Sequence, residues 1–283
     1  TKGIYDEIEY QKALKWVKEN LHEGVDVYNP KELEHTREQK DFDWEYSIKM
    51  AVIIKDIMEG NPKLAEKGYY EESLGKGAIA AGFQGQRQWT DHWPNCDYPE
   101  AVLNSSFDFD GKKEPMTFAT ENDILNGLGM LFMKQLTGRA QIFADVRTYW
   151  SPEATKRVTG YSFTGKAKEN GGIIHLLNSG AACLDACGEC KDENGNPTMK
   201  EWWKVTDNDI KTMTDHTVWC EAGFDNFRGG GFSSHFVTRT EMPATMIRLN
   251  LVKGLGPVLQ ICEGWTVALP DKVTDILMER TNP

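Results

Sequence analysis

Between Met116 and Arg147, two short apolar runs bracket a helical stretch, and an acid follows each run. Met116 to Ala119 and Ala140 to Ala144 read as buried strands, and Glu121 to Leu136 between them reads as a helix. Thr120 is placed to cap that helix, with Asp123 three residues on, as in a capping box. A strand-helix-strand unit with so short a crossover is expected to be parallel and right-handed. Glu121 and Asp145 then leave the same edge of a sheet, where two carboxylates can converge on one metal or one proton. Position alone also allows blander roles. An Asp at a strand end can simply shape a turn, and a Glu in a first helical turn can complement the helix dipole.

The rest of the chain surrounds this unit with different patterns. Tyr10, Ala13, Leu14, Val17 and Leu21 recur at helical spacing, with Gly24 as a stop. A longer helix is expected from about Lys31 to Gly60, carrying Trp44, Ile48, Val52 and Met58 as core, with Asn61-Pro62 ending it. Ala78 to Phe83 reads as a small-residue strand that runs into a polar binding loop, Gln84 to Asp91. Beyond Ile173 strands follow one another: Ile173 to Leu177, Ala244 to Val252, and Val258 to Leu269 with an interruption at Glu263-Gly264. Strands in succession suggest an antiparallel sheet or barrel. The run Gly229-Gly230-Gly231 lets backbone approach a ligand closely or forms a bulged connection.

Composition narrows the function classes. With 40% hydrophobic residues, 9 Trp and 12 Phe, a chain of 283 residues is globular rather than disordered. A formal net charge of -11 argues against nucleic acid as a partner. No apolar run reaches transmembrane length, and Thr1-Lys2-Gly3-Ile4 does not open like a signal peptide, so no membrane association and a cytoplasmic location are expected. The six cysteines then remain thiols. Three of them, Cys183, Cys187 and Cys190, have a spacing that can hold a metal or an iron-sulfur cluster, as in a radical-type enzyme. The plainer reading is a surface loop that happens to carry thiols.

Several long blocks resemble one family. They are Gly82 to Asp91, Ala119 to Asp123, Phe143 to Glu153, Ile174 to Gly180, Phe227 to Gly231 and Lys253 to Gln260. Together they look like L-fucose isomerase over nearly the whole chain. The resemblance implies a metal-dependent aldose-ketose isomerase that interconverts L-fucose and L-fuculose, and also D-arabinose and D-ribulose, through an enediol. It implies Mn²⁺, with Mg²⁺ as the other candidate, and a homo-hexamer of three-domain subunits. It also implies that Glu121 and Asp145 bind the metal and transfer the proton. Gln84, Ser179 and Phe232 fall on sugar-contacting positions, although the family usually has Tyr where Phe232 stands.

The family chain is longer at both ends. The expectation is therefore a fragment lacking the N-terminal domain and the C-terminal part, inactive alone or a scaffold that has lost the reaction. Residues 1–138 would belong to a Rossmann-like α/β domain and 139–283 to a mainly antiparallel, barrel-like substrate domain. The family's third ligand, a histidine, would lie beyond Pro283.

Overall fold

A computed structural model describes residues 3–25, 29–83, 87–178, 181–224 and 227–281. The first half is mostly helical. It comprises α1 (Glu7–Asn20), β1 (His22–Glu23), α2 (Arg37–Glu59), α3 (Pro62–Glu66), α4 (Tyr70–Ser73), α5 (Arg87–Thr90) and α6 (Asp97–Asn104). A small hairpin follows, β2 (Phe107–Asp108) with β3 (Gly111–Lys112), then α7 (Ile124–Thr137). The second half holds β4 (Asp145–Trp150), α8 (Pro152–Thr159), α9 (Gly165–Glu169), β5 (Ile173–Leu177) and α10 (Asp207–Asp215). It ends with β6 (Val218–Glu221), β7 (Phe232–His235), β8 (Pro243–Val252), β9 (Gly256–Trp265) and α11 (Asp271–Thr281).

The two long N-terminal helices form where periodicity and caps agree. α1 buries Tyr10, Ala13 and Val17, and the Asp6 side chain accepts from the Ile8 amide at its start. Thr36 opens α2 with a reciprocal cap: the Gln39 amide donates to the Thr36 hydroxyl and the Thr36 amide to the Gln39 side chain. α2 buries Trp44, Ile48, Val52 and Met58, as expected from their spacing, and stops at Gly60. Trp44 lies at the centre of the core. Its ring stacks on Phe232 at 4.4 Å and meets Tyr98 and Trp219 edge-on at 5.6 and 5.7 Å. That contact joins α2 to α6 and to the sheet β1-β6-β7, in which β1 and β6 are parallel and β7 is antiparallel.

The parallel strand-helix-strand unit does not form. Residues 116–119 make one parallel bridge, Ala81 with Phe118, rather than a strand. The reason is the Asn104 side chain, which donates to the Phe118 carbonyl and accepts from the Phe118 amide, both at 2.8 Å. A side chain thus takes the place of a neighbouring strand. The 140–144 run is coil, and the ladder begins at Asp145, where β4 pairs antiparallel with β5. β8 and β9 form an antiparallel hairpin without the interruption expected at Glu263, which pairs with Thr245. The described strands therefore make four small sheets in a mixed α/β chain. Neither an open parallel sheet nor a closed barrel is present among the described residues.

Two surfaces are unusually apolar. Ile124, Leu128, Phe132 and Leu136 recur every fourth residue along one face of α7 and are all exposed. On the hairpin, Leu251, Leu255, Leu259, Ile261 and Trp265 are exposed as well. No helix among the described residues is long and apolar enough to cross a membrane.

One buried acid makes stability depend on pH. Asp97 is 5% exposed, and burial pushes its carboxyl from 3.8 to about 7, against a hydrogen bond from Ser233 that lowers it. Because the folded-state value lies above the unfolded one, the folded chain holds this proton more tightly. The stabilisation is complete below about pH 4 and is lost as pH rises through 7. The unfolding temperature of Asp97→Asn is therefore expected to fall less between pH 4 and 7 than that of the parent. Equal slopes in the two proteins would show that Asp97 is not held protonated.

Candidate functional site

The most constrained backbone lies at Glu121. Residues Thr120–Asn122 form a single 3-10 turn, and Glu121 (φ 57°, ψ 15°) and Asn122 (φ 56°) are both left-handed. Left-handed backbone disfavours residues with a side chain, and two such residues in a row persist only where their surroundings fix them. The turn also moves the helix start. Asp123, not Thr120, caps α7 by accepting from the Asn126 amide at 3.0 Å.

Three contacts hold this turn. The Thr120 hydroxyl donates to Glu100 Oε2 at 2.7 Å. Glu100 is fully buried on α6, and burial pushes its carboxyl up to about 8, with the Glu121 charge adding a smaller push in the same direction. At neutral pH it is thus mainly a protonated, neutral anchor under the turn. On the other side, a Cβ on Gly82 would lie 2.5 Å from the Ala119 carbonyl oxygen and 2.8 Å from Asn122 Cα. Only glycine lets the 81–83 segment run this close to the Glu121 turn. Third, Arg248 of β8 donates to Asn126 at 2.6 Å and pairs with Asp123 at 3.3 Å. Glu121 itself is exposed.

Asp145 opens β4 opposite Leu177 and is exposed. The Arg147 guanidinium stands 3.4 Å from it. Asn178 bridges the neighbouring segments, donating to the Phe143 carbonyl and accepting from the Ala181 amide at 2.7 Å. Both candidate acids therefore reach solvent from backbone that is tied down on each side. Two oxygen donors of this kind suit Mn²⁺ or Mg²⁺ better than zinc.

The other expected residues divide. Gln84 and Ser179 lie outside the described residues. Phe232 is not on the wall of a cleft: it is 1% exposed, with its ring stacked on Trp44. Tight packing around that ring leaves no face for a sugar. The three cysteines do not form a ligand cluster among the described residues. Nor do they lie on the surface. Cys183, Cys187 and Cys190 are buried beside the 3-10 turn Leu184–Cys187. Burial pushes the Cys187 thiol up to about 12 and the other two well above the ordinary range.

Residues 1–138 match the family profile described as "L-fucose isomerase, second N-terminal domain", and residues 176–283 match "L-fucose isomerase, C-terminal domain". The chain belongs to the L-fucose isomerase family. It is 58% identical over 283 residues to the L-fucose isomerase of Bacteroides thetaiotaomicron, covering 99% of this chain and 48% of that protein. It is 53% identical over 284 residues to the L-fucose isomerase of Clostridium perfringens, covering 99% of this chain and 47% of the relative. With the Streptococcus pneumoniae strain D39 protein of the same name it shares 53% identity over 282 residues, covering 100% of this chain and 47% of that one. The chain thus spans about half the length of the curated relatives it matches. Glu121 lies inside the first profile match, and Asp145 between the two.

Proposed function

We propose that Glu121 and Asp145 are the metal-binding and proton-transferring acids of an aldose-ketose isomerase acting on L-fucose and L-fuculose. The observation that carries this reading is the backbone at Glu121. Two consecutive left-handed residues are a costly way to make a turn, and such strain clusters where a side chain must be held for chemistry. Membership of the L-fucose isomerase family supplies the substrate class.

The chemistry suits two carboxylates. Moving a carbonyl from C1 to C2 requires removal of one weakly acidic C–H proton and its return to the neighbouring carbon. Glu121, held by its fixed turn, takes the proton and returns it, passing through an enediol. Asp145 shares the load of positioning the sugar's adjacent oxygens. Glu121 and Asp145 would hold a divalent cation, Mn²⁺ or Mg²⁺, which would supply positive charge beside the sugar's oxygens when bound. Arg147, 3.4 Å from Asp145, would help to orient it.

Gln84 and Ser179 are proposed as sugar contacts, and D-arabinose as a second substrate. The resemblance also implies a histidine as third metal ligand, and none of the six histidines of this chain is assigned to that role. In the whole protein, the small sheets are read as parts of a Rossmann-like and a barrel-like domain dividing near residue 138. A hexamer in the cytoplasm is the proposed assembly.

The chain by itself is expected to bind Mn²⁺ weakly and to turn over no sugar. Loss of the groups that support metal ligands commonly costs roughly 10–100-fold in affinity or activity. The test is an assay of purified 1–283 with L-fucose and with D-arabinose in added Mn²⁺. Turnover at an ordinary enzymatic rate would show that the site is complete within these residues.

A further inference from the structure

A second group of ligand atoms lies away from the Glu121 turn. His35 precedes α2, Asp43 stands on its second turn, and Glu221 ends β6. His35 Nδ1 is 2.9 Å from Asp43 Oδ2 and 3.8 Å from Glu221 Oε1, and the three atoms lie within 4.8 Å of one another. We propose that His35, Asp43 and Glu221 form a structural binding site for a divalent cation of the zinc type, separate from the proposed catalytic pair.

The spacing fits such an ion. Bonds of about 2.0–2.2 Å in a tetrahedral arrangement set ligand atoms roughly 3.2–3.6 Å apart. The two distances from His35 Nδ1, 2.9 and 3.8 Å, bracket that range, and all three atoms lie within 4.8 Å of one another. An imidazole with two carboxylates suits Zn²⁺, Co²⁺ or Ni²⁺ better than Mg²⁺ or Ca²⁺.

The site is built rather than accidental. The Asp43 and Glu221 side chains are 3% and 2% exposed, and His35 is 17% exposed, so entry is from the imidazole side. There, a surface cavity of about 350 Å³ is lined by His35, Asp43, His92 and Arg228 among others. The His35 ring is fixed by stacking on Phe224 at 4.3 Å. The glycine run closes over the acids: the Gly231 amide donates to Asp43 Oδ2 at 3.2 Å. A Cβ on Gly230, whose φ is +78°, would lie 2.5 Å from Asp43 Oδ2 and 2.6 Å from the His35 ring. The run that looked suited to a ligand thus approaches this cluster.

Lys40 Nζ stands 3.0 Å from Glu221 Oε2, and Glu221 Oε1 stands 3.8 Å from the imidazole. Two carboxyl groups thus meet the imidazole in a nearly buried place. A dication there ties the segment before α2 to the end of β6, elements far apart in the chain.

The test uses purified 1–283 stripped with chelator. Zn²⁺ is titrated by calorimetry, Co²⁺ is followed by its visible absorption, and unfolding temperature is read with and without Zn²⁺. The expected result is one ion per chain, a Zn²⁺-dependent rise in unfolding temperature, and affinity at least about tenfold weaker in His35→Ala and His35→Gln. His35→Gln keeps a polar side chain of similar reach, so a folding defect in the alanine variant does not decide the matter. The double variant Glu121→Gln with Asp145→Asn is expected to bind Zn²⁺ as the parent does. No binding by the parent, equal binding by the His35 variants, or loss of binding in the double variant would each overturn the proposal. The last outcome would put the ion on the catalytic pair, whereas normal binding there leaves the isomerase reading to its own test.

Discussion

Glu121→Gln is expected to abolish isomerisation while leaving the protein folded. The variant is best made in a full-length chimaera, with this chain exchanged for the 48% of the Bacteroides thetaiotaomicron relative that it covers. Glutamine keeps the size of the side chain and the left-handed turn, but it removes the charge that holds the metal and accepts the proton. A positioned acid or base contributes roughly 10²–10⁴-fold, and loss of a metal ligand adds to that. The expected fall in turnover of L-fucose is therefore about 10³-fold or more, with an unchanged unfolding temperature. Activity within about tenfold of the parent at saturating Mn²⁺ would remove Glu121 from the chemistry.

The second large effect concerns stability. Trp44→Ala is expected to cost about 3–5 kcal/mol, the range for large aromatic side chains deleted from cores. Trp44 touches three aromatic rings from three different elements, and Trp44 Nε1 also donates to Glu23 Oε1 at 2.9 Å. Its removal leaves a cavity that Phe232, Tyr98 and Trp219 cannot all close. A domain is typically stable by about 5–15 kcal/mol, so the variant should unfold at a much lower urea concentration. A midpoint close to that of the parent would mean that the aromatic group is not the centre of the core.

What could be read in the sequence follows from which forces are local. α1 and α2 were legible because the spacing of Tyr10, Ala13 and Val17, and of Trp44, Ile48 and Val52, agrees with caps within the same segment. The hairpin β8–β9 was legible for the same reason: both strands and their turn are contiguous. The strand-helix-strand unit was not. Its apolar runs are real, but Asn104 satisfies the Phe118 backbone and Ile173–Leu177 pairs beyond Ala144. Apolar pattern says that a segment is buried, not which partner takes its hydrogen bonds. The cysteine spacing misled in a related way, since it cannot show that the Leu184–Cys187 turn buries the thiols.

The site shows the same division. Glu121 and Asp145 stand out in sequence because each follows an apolar run. Glu100, which anchors the Glu121 turn through Thr120, gives no local signal on a short helix of otherwise ordinary composition. His35, Asp43 and Glu221 are equally silent, because helix α2 and the segment before it meet the end of β6, far away in the sequence. Phe232 was legible as a position beside the glycine run, but its burial against Trp44 depends on contacts far away in sequence.

The most direct measurement locates the metal. Crystals of the full-length chimaera grown with Mn²⁺ give the ion's position by anomalous scattering. The expected result is one ion with carboxylate oxygens of both Glu121 and Asp145 at about 2.0–2.6 Å. An ion in the sugar-binding cleft that neither carboxylate reaches, or that only one reaches, would contradict the assignment of these two acids as the centre of the chemistry.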